Sequence, residues 1–447
     1  MNMFEPTFES LRTRQVPTWF EDAKIGLFAH WTVGSVPSFA PMGRDPFTLA
    51  REEGEEVAFS HTPYAEWYWN SISIPGSPAA EYHEKVLGNP DYQTFVDKFL
   101  TTARDWDPNH WRDVFARSGA QYCVFVTKHH DGVLMWPSDT PNPVHGNVWQ
   151  SERDLVGECA RITRELGMRF GVYYSGGIDW TFQGLGIKSW ATLFAAIPQE
   201  DAYLEYADSH WRELIERYQP DVLWNDIGYP KFSDGAMPLI ADFYNQNPDG
   251  VVNDRFDMLG VIQGRSHTDF TTPEYTTRPM DAHKKFEVCR GIGTSFGYMQ
   301  FEDDTSYMPI PELITMFANI VADGGNLLLN FGAMPGGYIP WAQQLRIFAL
   351  GSWLADNGAA IYGSRPFEQS TLSTDEGHVV RLTKGRDGAV YAMVCGRPSS
   401  SRIVIDGLPE GEVHLVKQNV RVARRGNVLD LPIRPDDTPV WTLRIGR

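Results

Sequence analysis

The chain has 447 residues, of which 42% are hydrophobic and 13% aromatic, and its formal net charge is −18. This length and apolar content predict a globular protein of two or three domains, or one large barrel with an appendage. The acidic balance argues against nucleic acids and anionic membranes as partners, because both are negatively charged.

The N-terminal region and the cysteine spacing indicate where the protein is located and whether it binds zinc or forms disulfides. The first twenty residues lack the basic and apolar regions of a signal peptide, and no apolar run approaches the roughly 18 residues of a membrane span. The four cysteines are scattered without C-x-x-C spacing, which favours buried free thiols over a zinc motif or a disulfide framework. We expect a cytoplasmic protein without a cofactor, and a homo-oligomer is compatible with the sequence.

Short β-rich apolar runs alternate with helical patterns from about residue 20 to residue 360. The predicted strands cover residues 25–31, 121–130, 169–175, 221–226, 251–255, 267–275, 294–298 and 324–332. Helical periodicity follows or separates several of them, as over 153–167 and 311–325. Eight such strands predict a (β/α)8-like barrel, and the close spacing of the fifth to seventh predicts an irregular one. A doubly wound sheet is the alternative, but no G-x-G-x-x-G follows the first strand.

Two other segments differ from this pattern. From about residue 366 the chain contains short alternating strands separated by Gly and Asp turns, which predict a C-terminal antiparallel β-sandwich. We therefore expect a catalytic barrel over 1–362 and a sandwich over 363–447. Residues 38–63, rich in Pro, Gly and Glu, are expected to form a long loop after the first strand, and loops of that length are often functional.

Polar residues interrupt the apolar pattern at the ends of the predicted strands. They are His30, His129, His130, Asp131, Tyr173, Tyr174, Asp226, Asp254, Arg255 and Glu274. In a parallel barrel the C-terminal strand ends share one face, so these side chains should meet in one pocket. A single member such as Asp226 has a structural explanation as a cap or a turn residue, but six strands in series favour a polar site.

The residue types limit the chemistry of this site. His30, His129, His130 and Asp226 are potential metal ligands, but adjacent strand residues face opposite sides and no H-x-H or H-E-x-x-H is present. No G-x-S-x-G elbow and no phosphate-binding loop with its Lys occurs. A pair of carboxylates remains, Asp226 and Glu274, which is the usual equipment for glycoside hydrolysis. The residue types alone do not specify the sugar.

Four motifs in order, "TKHHDG", "LWND", "PEY" and "SFGY", carry a family resemblance. With "WFEDAKIGLFAHW" before them and "GGNLLLNFG" after them, the chain resembles the α-L-fucosidases of glycoside hydrolase family 29, particularly the bacterial members. The resemblance covers nearly the whole chain. It implies a barrel with a C-terminal β-sandwich and retaining removal of terminal α-L-fucosyl residues from oligosaccharides.

The resemblance also assigns expected roles. Asp226 matches the family's nucleophile and Glu274 its general acid/base, with Glu287 in "KKFEVC" as the rival for the second role. Arg255 matches a residue near the ring oxygen. The residues expected to bind hydroxyl groups are His30, Glu66, Trp67, His129 and His130. The expected apolar wall around the C6 methyl group consists of Phe28, Tyr173, Trp224 and Phe296.

The chain departs from the family pattern after the first strand, where "HWTVG" places Thr32 at a common glycine position and Gly34 two residues later. A Thr disfavours the positive φ that a glycine allows, so we expect altered aglycone preference. Two alternatives stay open. One is a related enzyme acting on α-L-galactosides or β-D-arabinosides, or a transfucosidase; the other is a non-catalytic fucose-binding protein.

Overall fold

The structure is a computed structural model that describes residues 3–276, 284–432 and 437–446. Within these ranges a parallel seven-stranded sheet precedes an antiparallel eight-stranded sheet. The parallel strands are β1 (Ile25–His30), β2 (Tyr122–Lys128), β3 (Arg169–Tyr174), β4 (Val222–Asn225), β5 (Val251–Val252), β6 (Glu287–Gly291) and β7 (Asn326–Gly332).

Helices surround the parallel sheet and fill its connections. They are α1 (Phe8–Leu11), α2 (Thr18–Ala23), α3 (Pro46–Glu53), α4 (Glu55–Ser60), α5 (Tyr68–Ile72), α6 (Pro78–Lys85), α7 (Tyr92–Ala103), α8 (Pro108–Ala116), α9 (Leu155–Glu165), α10 (Trp190–Ala195), α11 (Asp201–Tyr218), α12 (Phe232–Gln246), α13 (Met258–Ile262), α14 (Ile310–Ala322) and α15 (Trp341–Ile361). The predicted helical patterns over 153–167 and 311–325 correspond to α9 and α14. Among the described helices, none combines the length and the apolar character that a membrane span requires.

The parallel strands are ordered β5-β4-β3-β2-β1-β7-β6, and residues 268–274 fill the gap between β5 and β6. On one side Asp269 N donates to Val252 O over 3.0 Å, and on the other Glu287 N donates to Thr271 O over 2.8 Å. This segment makes isolated bridges instead of a regular ladder. It therefore takes the eighth place in an irregular barrel.

The alternation of side chains along β1 explains how the barrel presents its polar residues. Leu27 and Ala29 pack in the core between the sheet and the helices. Phe28 packs with aromatic side chains from other strands in a second core inside the barrel. Because successive side chains on a strand face opposite sides, His30 lies on the same inner side as Phe28.

Two of the predicted strands are wrong in the structure. Residues 267–275 form only the bridges described above, and residues 294–298 form no strand because their backbone donors bind carboxylates. Gly297 N donates to Glu66 Oε2 over 2.7 Å, and Thr294 N donates to Glu302 Oε1 over 2.7 Å. The seventh member of the barrel is instead β6, whose sequence "EVCRG" mixes buried charge with apolar residues.

The predicted loop over 38–63 is also wrong in part, because it contains α3 and α4. Asp45 caps α3, its Oδ1 accepting from Thr48 N over 2.9 Å, and Pro46 occupies the first turn. Gly54 separates the two helices with a φ of 95°, a conformation that favours glycine.

The C-terminal strands pair antiparallel in the order β11-β14-β13-β12-β15-β10-β9-β8 and enclose an apolar core of their own. They are β8 (Arg365–Ser373), β9 (Val379–Lys384), β10 (Val390–Cys395), β11 (Arg402–Val404), β12 (Val413–Leu415), β13 (Val420–Arg425), β14 (Val428–Asp430) and β15 (Val440–Ile445). Helix α15 joins them to the barrel, where Trp353 Nε1 donates to Val440 O over 2.7 Å. All four cysteines are free, three of them buried, as the spacing predicts.

Candidate active site

A cavity of about 560 Å³ opens at the carboxyl ends of the parallel strands. The twelve residues to which the family resemblance gives a catalytic or sugar-binding role all line it: Phe28, His30, Glu66, Trp67, His129, His130, Tyr173, Trp224, Asp226, Arg255, Glu274 and Phe296. Eight of the ten predicted polar strand-end residues converge on this site, as expected for a parallel barrel. The prediction is wrong for Tyr174, which alternates with Tyr173 and packs in the core next to the helices, and for Asp131, whose Oδ1 instead accepts from Val133 N over 3.1 Å.

Asp226 directly follows β4 and is almost completely buried. Its Oδ1 accepts from Arg255 Nη1 over 2.9 Å, and its Oδ2 accepts from the Tyr173 hydroxyl over 2.8 Å. Burial by itself would raise the pKa of Asp226, but the charge of Arg255, the nearby His130 and the hydrogen bonds from Tyr173 and Arg255 together outweigh burial, and the pKa lies below its ordinary value. The carboxylate is therefore ionised at neutral pH.

Glu274 lies on the other side of the same guanidinium. Its Oε2 accepts from Arg255 Nη2 over 2.8 Å, and its Oε1 accepts from the Tyr64 hydroxyl over 2.6 Å. Arg255 is itself fixed, because its Nε donates to Thr272 Oγ1 over 2.8 Å and its guanidinium lies 4.6 Å from the centre of the Trp224 ring. One cation, largely shielded from solvent, thus joins both carboxylates.

The rival carboxylate, Glu287, lies elsewhere in the barrel interior and does not line the cavity. It is fully buried and accepts hydrogen bonds from the Tyr122 hydroxyl and, over 3.1 Å, from Trp224 Nε1. Burial raises the pKa of Glu287 to about 7. This position favours a structural role for Glu287, and of the two candidates for the acid/base role only Glu274 lines the cavity.

The hydrogen bonds of His30 define which ring nitrogen faces the cavity. Its Nδ1 lies 2.5 Å from Asn330 Oδ1, and Asn330 Nδ2 donates to Phe296 O over 2.8 Å. Asn330 is therefore oriented as an acceptor, so Nδ1 of His30 carries the proton and Nε2 is an acceptor. Burial lowers the pKa of His30 to about 3, which keeps the ring neutral.

His130 is arranged in the same way. Its Nδ1 lies 2.6 Å from Ser175 Oγ, and that hydroxyl donates to Ile178 O over 2.6 Å. The Nδ1 proton of His130 is therefore donated to Ser175, and Nε2, 3.9 Å from Asp226 Oδ2, is unprotonated. Burial lowers the pKa of His130 to about 4. Both rings can accept a hydrogen bond from a ligand hydroxyl.

The expectation that the adjacent His129 and His130 face opposite sides of a strand is wrong. The rings of His129 and His130 lie on the same cavity with their centres 4.1 Å apart. Strand alternation does not apply to them, because β2 ends at Lys128 and the chain turns, with Gly132 N donating to His129 O over 3.0 Å. In the part of the chain that the structure describes, no cluster of three or more His, Cys, Asp or Glu side chains is placed to hold a metal ion.

Glu66 and Trp67 enter the site from a short 3₁₀ turn, Ala65–Trp67. Glu66 Oε2 accepts from Gly297 N over 2.7 Å and from Ser295 Oγ over 3.3 Å. Burial raises the pKa of Glu66 to about 7. The Trp67 ring lies edge-on to His130, with the ring centres 5.2 Å apart.

Thr32, which departs from the family pattern, lies on unstrained backbone. Thr32 has a φ of −132°, an extended conformation that any residue adopts, and it does not line the cavity. Gly34 is required instead, because a Cβ there would lie 2.4 Å from Ala65 O. Gly34 thus allows the backbone that carries Glu66 to approach the first strand's loop.

An apolar wall closes one side of the cavity. The ring centre of Phe28 lies 5.0 Å from that of Trp224 and 5.7 Å from that of Tyr173. Phe296 packs on His30 with a centre distance of 5.2 Å. The hydroxyl of Tyr173 and the indole N–H of Trp224 are both engaged by carboxylates, so their rings present carbon to the cavity.

The sequence reasoning missed Tyr64 and the residues at the mouth of the cavity. The mouth is lined by side chains from α3, α4, α10 and α13, including Phe47, Phe59, Trp190 and Leu259. The aromatic residues within 38–63 were the available signal, because apolar side chains in a segment read as a solvent-exposed loop need a partner.

An irregular β/α barrel with paired carboxylates, neutral histidines and an aromatic wall at its carboxyl edge defines a glycoside hydrolase. The chain matches the family model described as alpha-L-fucosidase over residues 1–359. It is similar to the crystal structure of Thermotoga maritima alpha-fucosidase in complex with a mechanism-based inhibitor, with a TM-score of 0.87 and 37% identity, covering 99% of this chain and all of the other. It is 32% identical over 452 residues to the plasma alpha-L-fucosidase of Pongo abelii, covering 96% of this chain and 89% of that one.

A further relative is the alpha-L-fucosidase of Dictyostelium discoideum, which is 29% identical over 418 residues, covering 90% of this chain and 83% of that one. The chain belongs to the α-L-fucosidase family, glycoside hydrolase family 29. The expected family, and the expected barrel with a C-terminal β-sandwich, are confirmed.

Proposed function

We propose that the protein is a retaining exo-α-L-fucosidase that removes terminal α-L-fucosyl residues from oligosaccharides by double displacement. The observation that carries the proposal is the position of Arg255, which binds Asp226 and Glu274 through different nitrogens of one guanidinium. Two carboxyl groups held close together in one cavity suit the retaining mechanism.

In the first step Asp226 attacks the anomeric carbon and forms a glycosyl ester while the bond to the aglycone oxygen breaks. Its ionised state, maintained by Arg255, supports this role. Glu274, protonated, gives its proton to the departing oxygen. The aglycone therefore leaves as a neutral alcohol.

In the second step Glu274, now a carboxylate, takes a proton from water as the water oxygen attacks the anomeric carbon. The ester bond to Asp226 breaks, and the carboxylate is regenerated. Two inversions give net retention, and Glu274 ends protonated for the next cycle.

Recognition of the sugar follows from the remaining cavity residues. His30 and His130 accept hydrogen bonds from sugar hydroxyls through Nε2, and Glu66 adds a carboxyl group on the same cavity. The wall formed by Phe28 and Trp224 suits a methyl group at C6. A C6 hydroxyl would lose its water there without gaining a partner, which disfavours α-L-galactosides.

The test uses 4-nitrophenyl α-L-fucoside, α-L-galactoside and β-D-galactoside with the wild type and Asp226→Gly. Release of nitrophenolate from the fucoside in preference to both galactosides, lost in the variant, supports the donor and the nucleophile together. Proton NMR of the sugar formed in the first minutes should show the α anomer. First formation of the β anomer, or equal hydrolysis of all three substrates, would overturn the proposal.

A further inference from the structure

The mouth of the cavity carries five large apolar side chains that are exposed to solvent. Each is at least 37% exposed, and each lines the same cavity as Asp226. Exposed apolar patches next to a pocket mark binding surfaces, because water contact with them is unfavourable. We call this set the apolar rim: Phe47, Trp190, Phe194, Met258 and Leu259.

Contacts between segments that are distant in sequence hold the rim in place. Trp190 N donates to Glu55 Oε2 over 2.9 Å, which joins α10 to α4. The rings of Phe47 and Trp190 lie nearly parallel, 6.0 Å apart at 17°, and Phe59 packs edge-on to Trp190 at 5.2 Å. A capping box between Ser189 and Thr192 fixes the start of α10.

The cavity is larger than one sugar ring requires. Its volume of about 560 Å³ lies within the range of about 300–1,000 Å³ that encloses a drug-sized ligand. The carboxylates and histidines lie at the strand ends, whereas the rim lies on helices α3, α10 and α13 outside them. The additional space is therefore next to the position of the leaving group.

The chemistry of the rim indicates what fills that space. Among its five side chains only the indole of Trp190 carries an N–H donor. Polar side chains, including Asp45, Thr48 and Arg51, also line this cavity. A second sugar that lay against the rim itself would nevertheless place hydroxyl groups against carbon, where each would lose hydrogen bonds to water. An aryl or alkyl group would bury apolar surface on both sides without that cost.

We infer that the apolar rim is an aglycone subsite that favours α-L-fucosides with an aryl or alkyl leaving group. The inference rests on the proposed function and specifies its substrate class. Contact with a second copy of the chain is the competing use of the same surface. Continuity of the rim with the cavity of Asp226 favours the aglycone.

The test compares phenyl and 4-butylphenyl α-L-fucosides, whose phenols have nearly equal acidity, so that the chemical step is matched. Because each buried methylene is worth about fourfold in binding, we expect kcat/KM to be at least about tenfold higher for the butylphenyl fucoside. A ratio near one in the wild type would overturn the inference.

Substitutions test whether the preference for the butylphenyl fucoside comes from the rim side chains. Phe194→Ser combined with Leu259→Ser should reduce the ratio to near one. The same double variant should lose at least about tenfold more kcat/KM on the butylphenyl fucoside than on α-L-fucosyl fluoride, whose leaving group is one atom. Trp341→Ala removes an exposed apolar side chain that does not line the cavity, and it should keep the wild-type ratio.

Two further readouts separate the competing explanations. Calorimetry of Asp226→Gly with the same two fucosides measures the affinity ratio without turnover, so the rim is tested even if no fucoside is hydrolysed. If the wild type hydrolysed no fucoside but Asp226→Gly still bound the butylphenyl fucoside more tightly than the phenyl fucoside, the proposed function would be wrong and the aglycone subsite would stand. Sedimentation velocity tests the second copy: dissociation of an oligomer by the double variant, with an unchanged substrate ratio, would assign the rim to a subunit interface.

Discussion

Arg255 donates from Nη1 to Oδ1 of Asp226 over 2.9 Å, and this contact joins the ends of two neighbouring barrel strands. Asp226 follows β4, and Arg255 lies shortly after β5, which pairs with β4 in parallel. Parallel pairing brings the two carboxyl ends to the same edge, so the cation reaches the carboxylate without a long loop. The charge state of the proposed nucleophile thus follows from the strand order.

Replacement of Arg255 by Met should impair both the rate and its pH dependence. Without the guanidinium, burial should raise the pKa of Asp226, so the acid limb of kcat/KM should move to higher pH. We expect kcat/KM at pH 7 to fall by at least about 100-fold, the typical effect of losing a preorganised charged contact. Arg421→Met, at an exposed position of the C-terminal sheet, is the control. An unchanged acid limb in Arg255→Met would contradict this account of Asp226.

Substitution of the two candidate acid/base residues should give different kinds of defect. Glu274→Gln should abolish hydrolysis of phenyl α-L-fucoside but retain the first step with α-L-fucosyl fluoride, whose leaving group needs little protonation. Glu287→Gln should act mainly on stability. The Glu287 carboxyl accepts hydrogen bonds from the buried Tyr122 hydroxyl and Trp224 indole N–H, and in the variant one of these donors faces the amide N–H₂ of Gln instead of an oxygen. A cost of about 1–3 kcal/mol is expected. If Glu287→Gln gave the leaving-group dependence instead, the assignment would be reversed.

Glu287 should also make stability depend on pH. Burial raises its pKa to about 7, whereas an unfolded chain has a Glu pKa of about 4.3. Between these values the folded state keeps a proton that the unfolded chain has released, so the contribution of Glu287 to stability is most favourable below pH about 4.3 and falls until about pH 7. The full difference is about 4 kcal/mol.

Urea unfolding at pH 5 and at pH 7.5 measures this contribution. The wild type should lose more stability over that interval than Glu287→Gln, which has no proton to exchange. Glu216→Gln, at an exposed position on α11, should follow the wild type. Equal slopes for the wild type and Glu287→Gln would show that the Glu287 carboxyl ionises alike in both states.

Tyr64 should position Glu274, and a neighbouring tyrosine offers a matched control. The hydroxyl of Tyr64 donates to Glu274 Oε1, whereas that of Tyr275 donates to Thr294 O, although both rings line the cavity and lie 6.3 Å apart. We expect Tyr64→Phe to lower kcat on phenyl α-L-fucoside about tenfold with little change in KM. Tyr275→Phe should change kcat less. Equal effects of the two substitutions would indicate a general packing role.

The sequence allowed prediction of most of this site, because the polar residues interrupt apolar strands at their carboxyl ends. His30, His130 and Asp226 could be placed together from the parallel barrel alone. Their partners were harder to predict, since Asn330, Ser175 and Tyr64 are ordinary polar residues whose role depends on tertiary contacts.

Residues 294–298 and strand β6 show why the strand prediction failed locally. Residues 294–298 have a strand-like composition, but their backbone N–H groups bind Glu66 and Glu302 instead of a neighbouring strand. Segment 287–291 carries two charges, yet it pairs along its whole length with β7. Local strand propensity does not predict which carboxylates from other parts of the chain bind these backbone N–H groups.

The most direct test of the central claim is trapping of the covalent intermediate. The protein is incubated with 2-deoxy-2-fluoro-α-L-fucosyl fluoride, in which the good leaving group allows ester formation and the ring fluorine slows its hydrolysis. Peptide mass spectrometry should then find one fluorofucosyl group on Asp226, and none in Asp226→Gly. Labelling of a different carboxylate, or prompt turnover to the β-configured sugar without any adduct, would contradict a retaining mechanism with Asp226 as nucleophile.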